Sequence, residues 1–275
     1  MKDSITYVDT HCHIHDSEFQ KTFTSSPEQM RQEAKKAGVE KIICVGTSLK
    51  SSKEAIAFAE KHDGVFASIA LHPHEAERLS EKEFIADMTA LGKLKSSKIV
   101  AVGECGLDYY YNDDNATRAK QEHLLRQHLE LAKTLRLPMI FHVRNAKSTD
   151  GTDKNAFSDF MALYDYYKLP GVVHSFSATV KELALCVERN LLVGLNGIMT
   201  FTSDEKQLEA VKKAPLENII IETDAPYLTP KPHRGTINEP KHVTNITLFI
   251  AELREQSPAL VAKQTTKNAK KIFNL

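Results

Sequence analysis

Eight short runs rich in valine and isoleucine, separated by amphipathic stretches, constrain this chain more than any other feature. In order they are Ile5–Asp9, Lys41–Val45, Val65–Leu71, Ile99–Gly103, Met139–Val143, Val172–Ser175, Leu191–Leu195 and Ile219–Glu222. Most are continuous apolar runs, the pattern of parallel strands covered on both faces. Helical periodicity fills the gaps over Pro27–Ala37, Ser52–Lys61, Arg118–Thr134, Ala156–Tyr167 and Lys181–Glu188. Pro27 suits a first helical turn, and Gly38 suits the position just past its end. Eight such alternations in a chain of 275 residues predict an α/β fold, a (β/α)8 TIM barrel. No internal repeat, low-complexity segment or linker interrupts it, so residues 1–275 read as one domain. The stretch Thr229–Pro240, with Pro230, Pro232 and Pro240, reads as an ordered loop before the last helices.

Composition then removes some function classes. Lys plus Arg equals Asp plus Glu, 36 of each, so the formal net charge is zero. That excludes coating nucleic acid or an anionic membrane by charge alone, and leaves room for a local grip on a few phosphates. The four cysteines, Cys12, Cys44, Cys105 and Cys186, are far apart and form no CxxC pair, as in a reduced protein. No apolar run approaches the roughly 18 residues of a membrane span. The opening Met1–Thr6 lacks the apolar stretch of a signal peptide. The expectation is a soluble, cytoplasmic monomer with no membrane and no obligate protein partner.

In a barrel of this kind the chemistry sits where the strands end. The first strand runs into Val-Asp-Thr-His-Cys-His, and side chains two apart on a strand share a face. His11 and His13 therefore project together while Cys12 turns away. Strand three ends in His72 and His74, strand four in Glu104 through Asp108, and strand five in His142-Val143-Arg144. Strand six ends in His174, strand eight in Glu222-Thr223-Asp224, and strands two and seven carry no such group. Singly, each has a structural reading. A histidine after an apolar strand is commonly a satisfied polar residue, and Asp108 or Asp224 would serve as a helix cap.

Jointly, His11, His13, Glu104, His142, His174 and Asp224 meet at one mouth, and divalent cations compensate so many ionisable groups. Six ligands exceed the needs of one tetrahedral zinc, and a carboxylate can bridge two ions roughly 3.5–4 Å apart. Glu104, from the middle of the set, is the natural bridge. Imidazole with carboxylate suits magnesium, manganese or zinc without selecting among them.

The order VDTHCH, ALHPH, VGECGLDYYY, IFHVR, VVHSFS, IIETDAPYLTP, RGTINEP and KNAKKIF resembles the TatD family of metal-dependent deoxyribonucleases, within the amidohydrolase-like barrels. The resemblance runs nearly end to end. It implies that His11, His13, Glu104 and Asp224 hold one metal, and Glu104, His142 and His174 the other. Glu104 stands where related barrels use a carbamylated lysine. It further implies that His72 and Arg144 face the substrate phosphate. Ser175 and Ala178 depart from a segment that often reads His-Cys-Phe-Ser-Gly, and Asn145–Asn155 makes a polar loop beside the cleft.

The implied activity is hydrolysis of phosphodiester bonds at the ends of single-stranded or frayed DNA, from the 3′ side. A metal-activated water would attack phosphorus, with Asp224 as its base and Arg144 neutralising charge on the phosphoryl oxygens. Two other readings compete: the same centre as a D-aminoacyl-tRNA deacylase or other ester or amide hydrolase, and a non-catalytic, metal-stabilised binding barrel. Smaller expectations concern neighbours. Cys12 and Cys105 read as small buried side chains. His123 and His128 read as solvated on a helix, at least two of Tyr109–Tyr111 as packed on the helical ring, and Asn238-Glu239-Pro240 as shaping the mouth.

Overall fold

The structure, a computed structural model, describes residues 5–22, 26–111, 114–146 and 155–275. Its strands are β1 (Tyr7–Cys12), β2 (Val39–Val45), β3 (Val65–Ile69), β4 (Ile99–Asp108), β5 (Met139–Arg144), β6 (Gly171–His174), β7 (Leu192–Leu195) and β8 (Ile219–Ile221). They pair in chain order, all in parallel. β1 meets the segment that follows β8 through an isolated parallel bridge between Cys12 and Ala225, which brings the two edges of the sheet together. At the same seam Thr10 Oγ1 donates to Ile221 O at 3.0 Å, and Asp224 N donates to His11 O at 2.8 Å. This is a (β/α)8 barrel, as the apolar runs predicted.

Helices α1 (Ser17–Thr22), α2 (Pro27–Lys36), α3 (Leu49–Lys61), α4 (Glu75–Arg78), α5 (Glu81–Lys93) and α6 (Asn115–Leu135) precede β5. After it come α7 (Ala156–Tyr167), α8 (Val180–Glu188), α9 (Glu205–Lys213), α10 (Val243–Leu253) and α11 (Pro258–Ile272). Their boundaries follow local chemistry. Ser26 caps α2 in a box with Gln29, Pro27 occupies its first turn, and Gly38 follows it with φ +89°. Asp114 caps α6 by accepting from the amides of Ala116 and Thr117, which starts that helix three residues before the expected Arg118. Helices α1, α4, α5 and α9 had no counterpart among the expected segments. Thr229–Pro240 contains no strand and is not helical before Pro240, as expected.

Two apolar layers hold the barrel. Val8, Ile43, Val100, Ile140, Val172, Leu192 and Ile220 fill its interior, with Ala269 and Phe273 from the chain end packed against them. A larger layer lies between the sheet and the helices and includes Cys12, Cys44 and Cys105, all fully buried. No helix among the described residues is long and apolar enough to cross a membrane.

Two strands differ from expectation in a way that builds the site. β1 extends to Cys12, so His11 lies within the strand, and its register against β2 shifts between Asp9 and Cys12. A shift of this kind re-aims side chains. Val8 faces the barrel interior, yet Cys12 four residues on lies in the outer layer, which leaves His11 and His13 turned toward the mouth. β4 runs five residues beyond Gly103, with a similar shift between Val102 and Cys105. Gly103 is required there: a Cβ would lie 2.4 Å from Ile140 O. Glu104 consequently enters the mouth while Cys105 packs outward.

Candidate metal centre

The side chains delivered by β1, β4, β5, β6 and the end of β8 meet within a few ångströms. His11 Nε2 lies 3.2 Å from His13 Nε2 and 3.3 Å from Glu104 Oε2. His13 Nε2 lies 3.3 Å from Asp224 Oδ1. On the other side, Glu104 Oε1 is 2.6 Å from His142 Nδ1 and 3.6 Å from His174 Nε2. His142 and His174 are register partners across β5 and β6, which sets them side by side. Three donor groups result: His11, His13 and Asp224; His11, Glu104 and His174; His72, Glu104 and His142. Glu104 belongs to two of them and sits between the two sides of the cluster.

For His13, His142 and His174 the surroundings of the outward nitrogen bear on what the inward nitrogen can do, whereas His11 Nδ1 is buried without a hydrogen-bond partner. His13 Nδ1 is 3.0 Å from Val45 O, an acceptor, so this nitrogen carries the proton and Nε2 presents a lone pair. His142 Nε2 is 3.1 Å from Asp108 Oδ2, which leaves Nδ1 as the lone pair aimed at Glu104. His174 Nδ1 is 2.8 Å from Glu222 Oε1, a charge contact without hydrogen-bond alignment, and its Nε2 faces the cluster. His13 and His142 thus give their second N–H to a carbonyl and a carboxylate, as metal-ligating histidines characteristically do. Inward lone pairs facing carboxylate oxygens repel unless a cation lies between them. The donor chemistry therefore fits divalent ions.

His72 is different. Its Nδ1 accepts from the His74 amide at 3.2 Å, so its Nε2, 3.6 Å from Glu104 Oε1, carries the hydrogen. In the third group it therefore presents an N–H at the edge of the cluster, not a lone pair.

Without a cation, protons supply the missing charge. Burial disfavours protonated His174, but Glu222 and Glu104 outweigh it and raise its pKa to about 10. Burial likewise opposes protonated His142, yet Asp108 and Glu104 raise it to about 9. Burial also lowers His11 and pushes His72 down to about 4, leaving both neutral near pH 7. For Asp224 burial works against ionisation, but a hydrogen bond with His13 and the charge of His174 hold the carboxyl below its usual value.

The cluster opens into a cleft of about 850 Å³, lined among others by His72, His74, Arg144, Tyr227 and Phe19. Arg144 lies at its wall with the guanidinium 3.6 Å from the centre of the Tyr110 ring. Expectation and structure part company at several neighbours. Tyr109 alone of the three tyrosines packs toward the helices, its hydroxyl donating to Asp159 on α7 at 3.0 Å. Tyr110 lies under Arg144 and Tyr111 is 73% exposed. His123 is exposed as expected, but His128 is fully buried. Its Nε2 accepts from Leu71 N at 3.0 Å and its Nδ1 donates to Leu124 O at 2.8 Å, so it ties α6 to the end of β3. The larger part of the Asn145–Asn155 loop, residues 147–154, lies outside the described residues.

Neither acid read as a possible cap is one. Asp224 faces the cluster, and Asp108 holds His142 and, at 3.1 Å, His74. Four residues about the ligands have roles that spacing did not show. Asp108 and Glu222 orient His142 and His174. Gly194 leaves room for Glu222, because a Cβ there would lie 2.3 Å from Glu222 Oε2. Asp9 is fully buried and accepts from Thr223 N at 2.9 Å and Thr223 Oγ1 at 2.6 Å, joining the first strand to the segment that carries Asp224. The signal for Asp9 and Asp108 was their place inside long polar motifs, DTHCH and GECGLD.

Comparison with known proteins gives the family. The sequence model of the family described as TatD related DNase matches residues 8–274. A 3′-5′ ssDNA/RNA exonuclease TatD of Cronobacter sakazakii is 34% identical over 259 residues, covering 91% of this chain and 93% of its own. An uncharacterized metal-dependent hydrolase, YabD of Bacillus subtilis, is 32% identical over 269 residues, 97% of this chain and 98% of its own. The crystal structure of YjjV, a TatD homologue from Escherichia coli K12, superimposes with a TM-score of 0.84 at 28% identity, over 98% of each chain. The chain belongs to the TatD related DNase family of metal-dependent hydrolases.

Proposed function

We propose that this hydrolase removes nucleotides from the 3′ end of single-stranded DNA. The observation that carries the reading is the set of inward-facing imidazole lone pairs around Glu104 and Asp224, with Arg144 on the wall of the same open cleft. His11, His13, Glu104 and Asp224 would hold one divalent ion, and Glu104, His142 and His174 the other. Such ions, magnesium, manganese or zinc, would polarise the phosphoryl oxygens and lower the pKa of the attacking water. Asp224, held ionised by its histidine neighbours, takes the water's proton through its carboxylate. His72 donates from Nε2 to the phosphate or the leaving oxygen. Arg144, oriented by Tyr110, neutralises charge gathering on the phosphoryl group. The exonuclease name of the Cronobacter relative supports the substrate and polarity. Four free, buried cysteines suit a reducing cytoplasm, where we place the protein as one domain acting as a monomer.

The test is digestion of a 5′-labelled single-stranded oligonucleotide by metal-stripped protein given magnesium, manganese or zinc, with folded Asp224→Ala alongside. A metal-dependent ladder shortening from the 3′ end, absent in the variant, is the expected result. Intact oligonucleotide from protein that binds the ions would overturn the DNA reading and move the search to acylated tRNA and small esters.

A further inference from the structure

The ligand set and Arg144 account for a phosphate but for nothing else of a nucleotide. Tyr227 is an aromatic residue of the cleft wall with no part in holding a phosphate. It is 48% exposed, and its ring centre lies 6.5 Å from that of His13. Leaving a large aromatic half uncovered costs part of the burial energy the ring would otherwise contribute.

A loosely attached ring would need no explanation, but this one is mounted firmly. Tyr227 N donates to Asp224 O at 2.8 Å, and its carbonyl accepts from Asn238 Nδ2. Asn238 is fully buried, and the same amide group also donates to Thr223 O at 2.8 Å. Phe19 from α1 meets the Tyr227 ring edge-on, with centres 5.1 Å apart and planes at 80°. That contact fixes the tilt of the ring and still leaves it half exposed. Across the cleft the other exposed tyrosine of the lining, Tyr111, is already engaged: its ring meets His74 edge-on with centres 5.8 Å apart, and its centre lies 5.3 Å from the Arg144 guanidinium.

We infer that Tyr227, backed by Phe19, is the surface on which the cleft stacks the base of the nucleotide whose phosphate lies at the histidine–carboxylate cluster. This rests on the nucleotide substrate proposed above and adds how that substrate is chosen. Every base has a π face, so the platform is indifferent to base identity. A base inside a duplex has its faces covered by neighbours, so the platform admits unpaired ends. Charge reads the phosphate and an aromatic ring reads single-strandedness, which is how a chain of zero net charge can dispense with a long basic track.

The test compares binding of thymidine 5′-monophosphate with 2-deoxyribose 5-phosphate, which differs by lacking the base. Both are titrated into magnesium-supplemented wild type, Tyr227→Phe, Tyr227→Leu and Tyr227→Ala, each checked for folding. Wild type is expected to favour the base-bearing ligand about tenfold, the scale of one base–aromatic stack. Tyr227→Phe keeps that ratio, while Tyr227→Leu and Tyr227→Ala bring it close to one. A ratio unchanged in the leucine variant overturns the platform, as does a wild type with no preference. The oligonucleotide digestion runs in parallel and separates the two readings. Cleavage without base preference removes the platform alone, and base preference without cleavage removes the nuclease reading alone.

Discussion

At the N-terminal end of the barrel, Val8, Val100, Ile140, Val172 and Leu192 close on one another and on Phe273, and the space is filled with hydrocarbon. A few residues further along the same strands, His11, Glu104, His142 and His174 occupy the equivalent space with ionisable groups. The lower end gains stability from every apolar contact and has no chemistry to offer. The mouth gathers desolvated charge that a stable core would avoid, and that cost is what makes its groups responsive to a cation and a phosphate. Simple alternation carries β5 and β6 from one end to the other, while β1 and β4 reach the mouth through register shifts, so the two ends can be perturbed separately.

The largest expected effect is at the mouth. Asp224→Asn keeps the shape of the site and removes the proton acceptor, so kcat should fall by about 10³- to 10⁴-fold. Its unfolding midpoint in the metal-free state should stay close to wild type. A parallel collapse of stability would mean that the two ends are not independent. The reverse experiment is Phe273→Ala, which empties a 1%-exposed position at the lower end. Denaturant titration should show a loss of about 3–5 kcal/mol, with kcat preserved at temperatures where the variant remains folded.

A third prediction sharpens the comparison with pH, using a buried histidine remote from the cluster. Burial pushes the His128 pKa down to about 4, and a hydrogen bond to Leu124 O offsets this only in part. The unfolded chain, with an ordinary histidine value near 6.5, takes up the proton first. Stability from the neutral ring is therefore complete above about pH 6.5 and is lost as pH falls toward about 4, on the order of 3 kcal/mol from this residue. Urea midpoints measured across that window should slope less steeply in His128→Gln, whose amide can still accept from Leu71 N. An equal slope would assign the acid sensitivity elsewhere.

The smallest effect tests the support around the ligands. Asp108→Asn keeps the volume beside His142 but weakens the acceptor at Nε2, and divalent-ion affinity should fall by about 10- to 100-fold. Calorimetric titration of stripped protein reads this directly. Unchanged affinity would show that His142 needs no such partner.

These contrasts show where sequence reasoning reached and where it stopped. The apolar runs placed all eight strands because parallel strands buried on both faces have a local signature, and helix caps such as Ser26 and Pro27 are local as well. The six proposed ligands could be found together because parallel strands in a barrel all end on the same side. Strand ends were harder: β1 and β4 run on through His11 and Glu104, since their pairing depends on the neighbouring strand and not on their own composition. His128 stands four residues from both Leu124 and Ala132, so helical spacing puts it on the buried face of α6, and reading it as solvated overlooked that signal; what covers it, the end of β3, is visible only in the fold.

By itself, then, the chain of residues determined the barrel, the strand order and the collection of histidines and acids at one mouth, all consequences of period and parallel direction. The tertiary structure alone decided which nitrogen of each ring faces inward, that Asp108 and Glu222 stand behind His142 and His174, and that Asp9 ties the first strand to the eighth. It also brought Phe19 against Tyr227, more than two hundred positions away. Those pairings join residues from distant parts of the chain, and their energies arise only when folding brings the groups within hydrogen-bond or van der Waals reach.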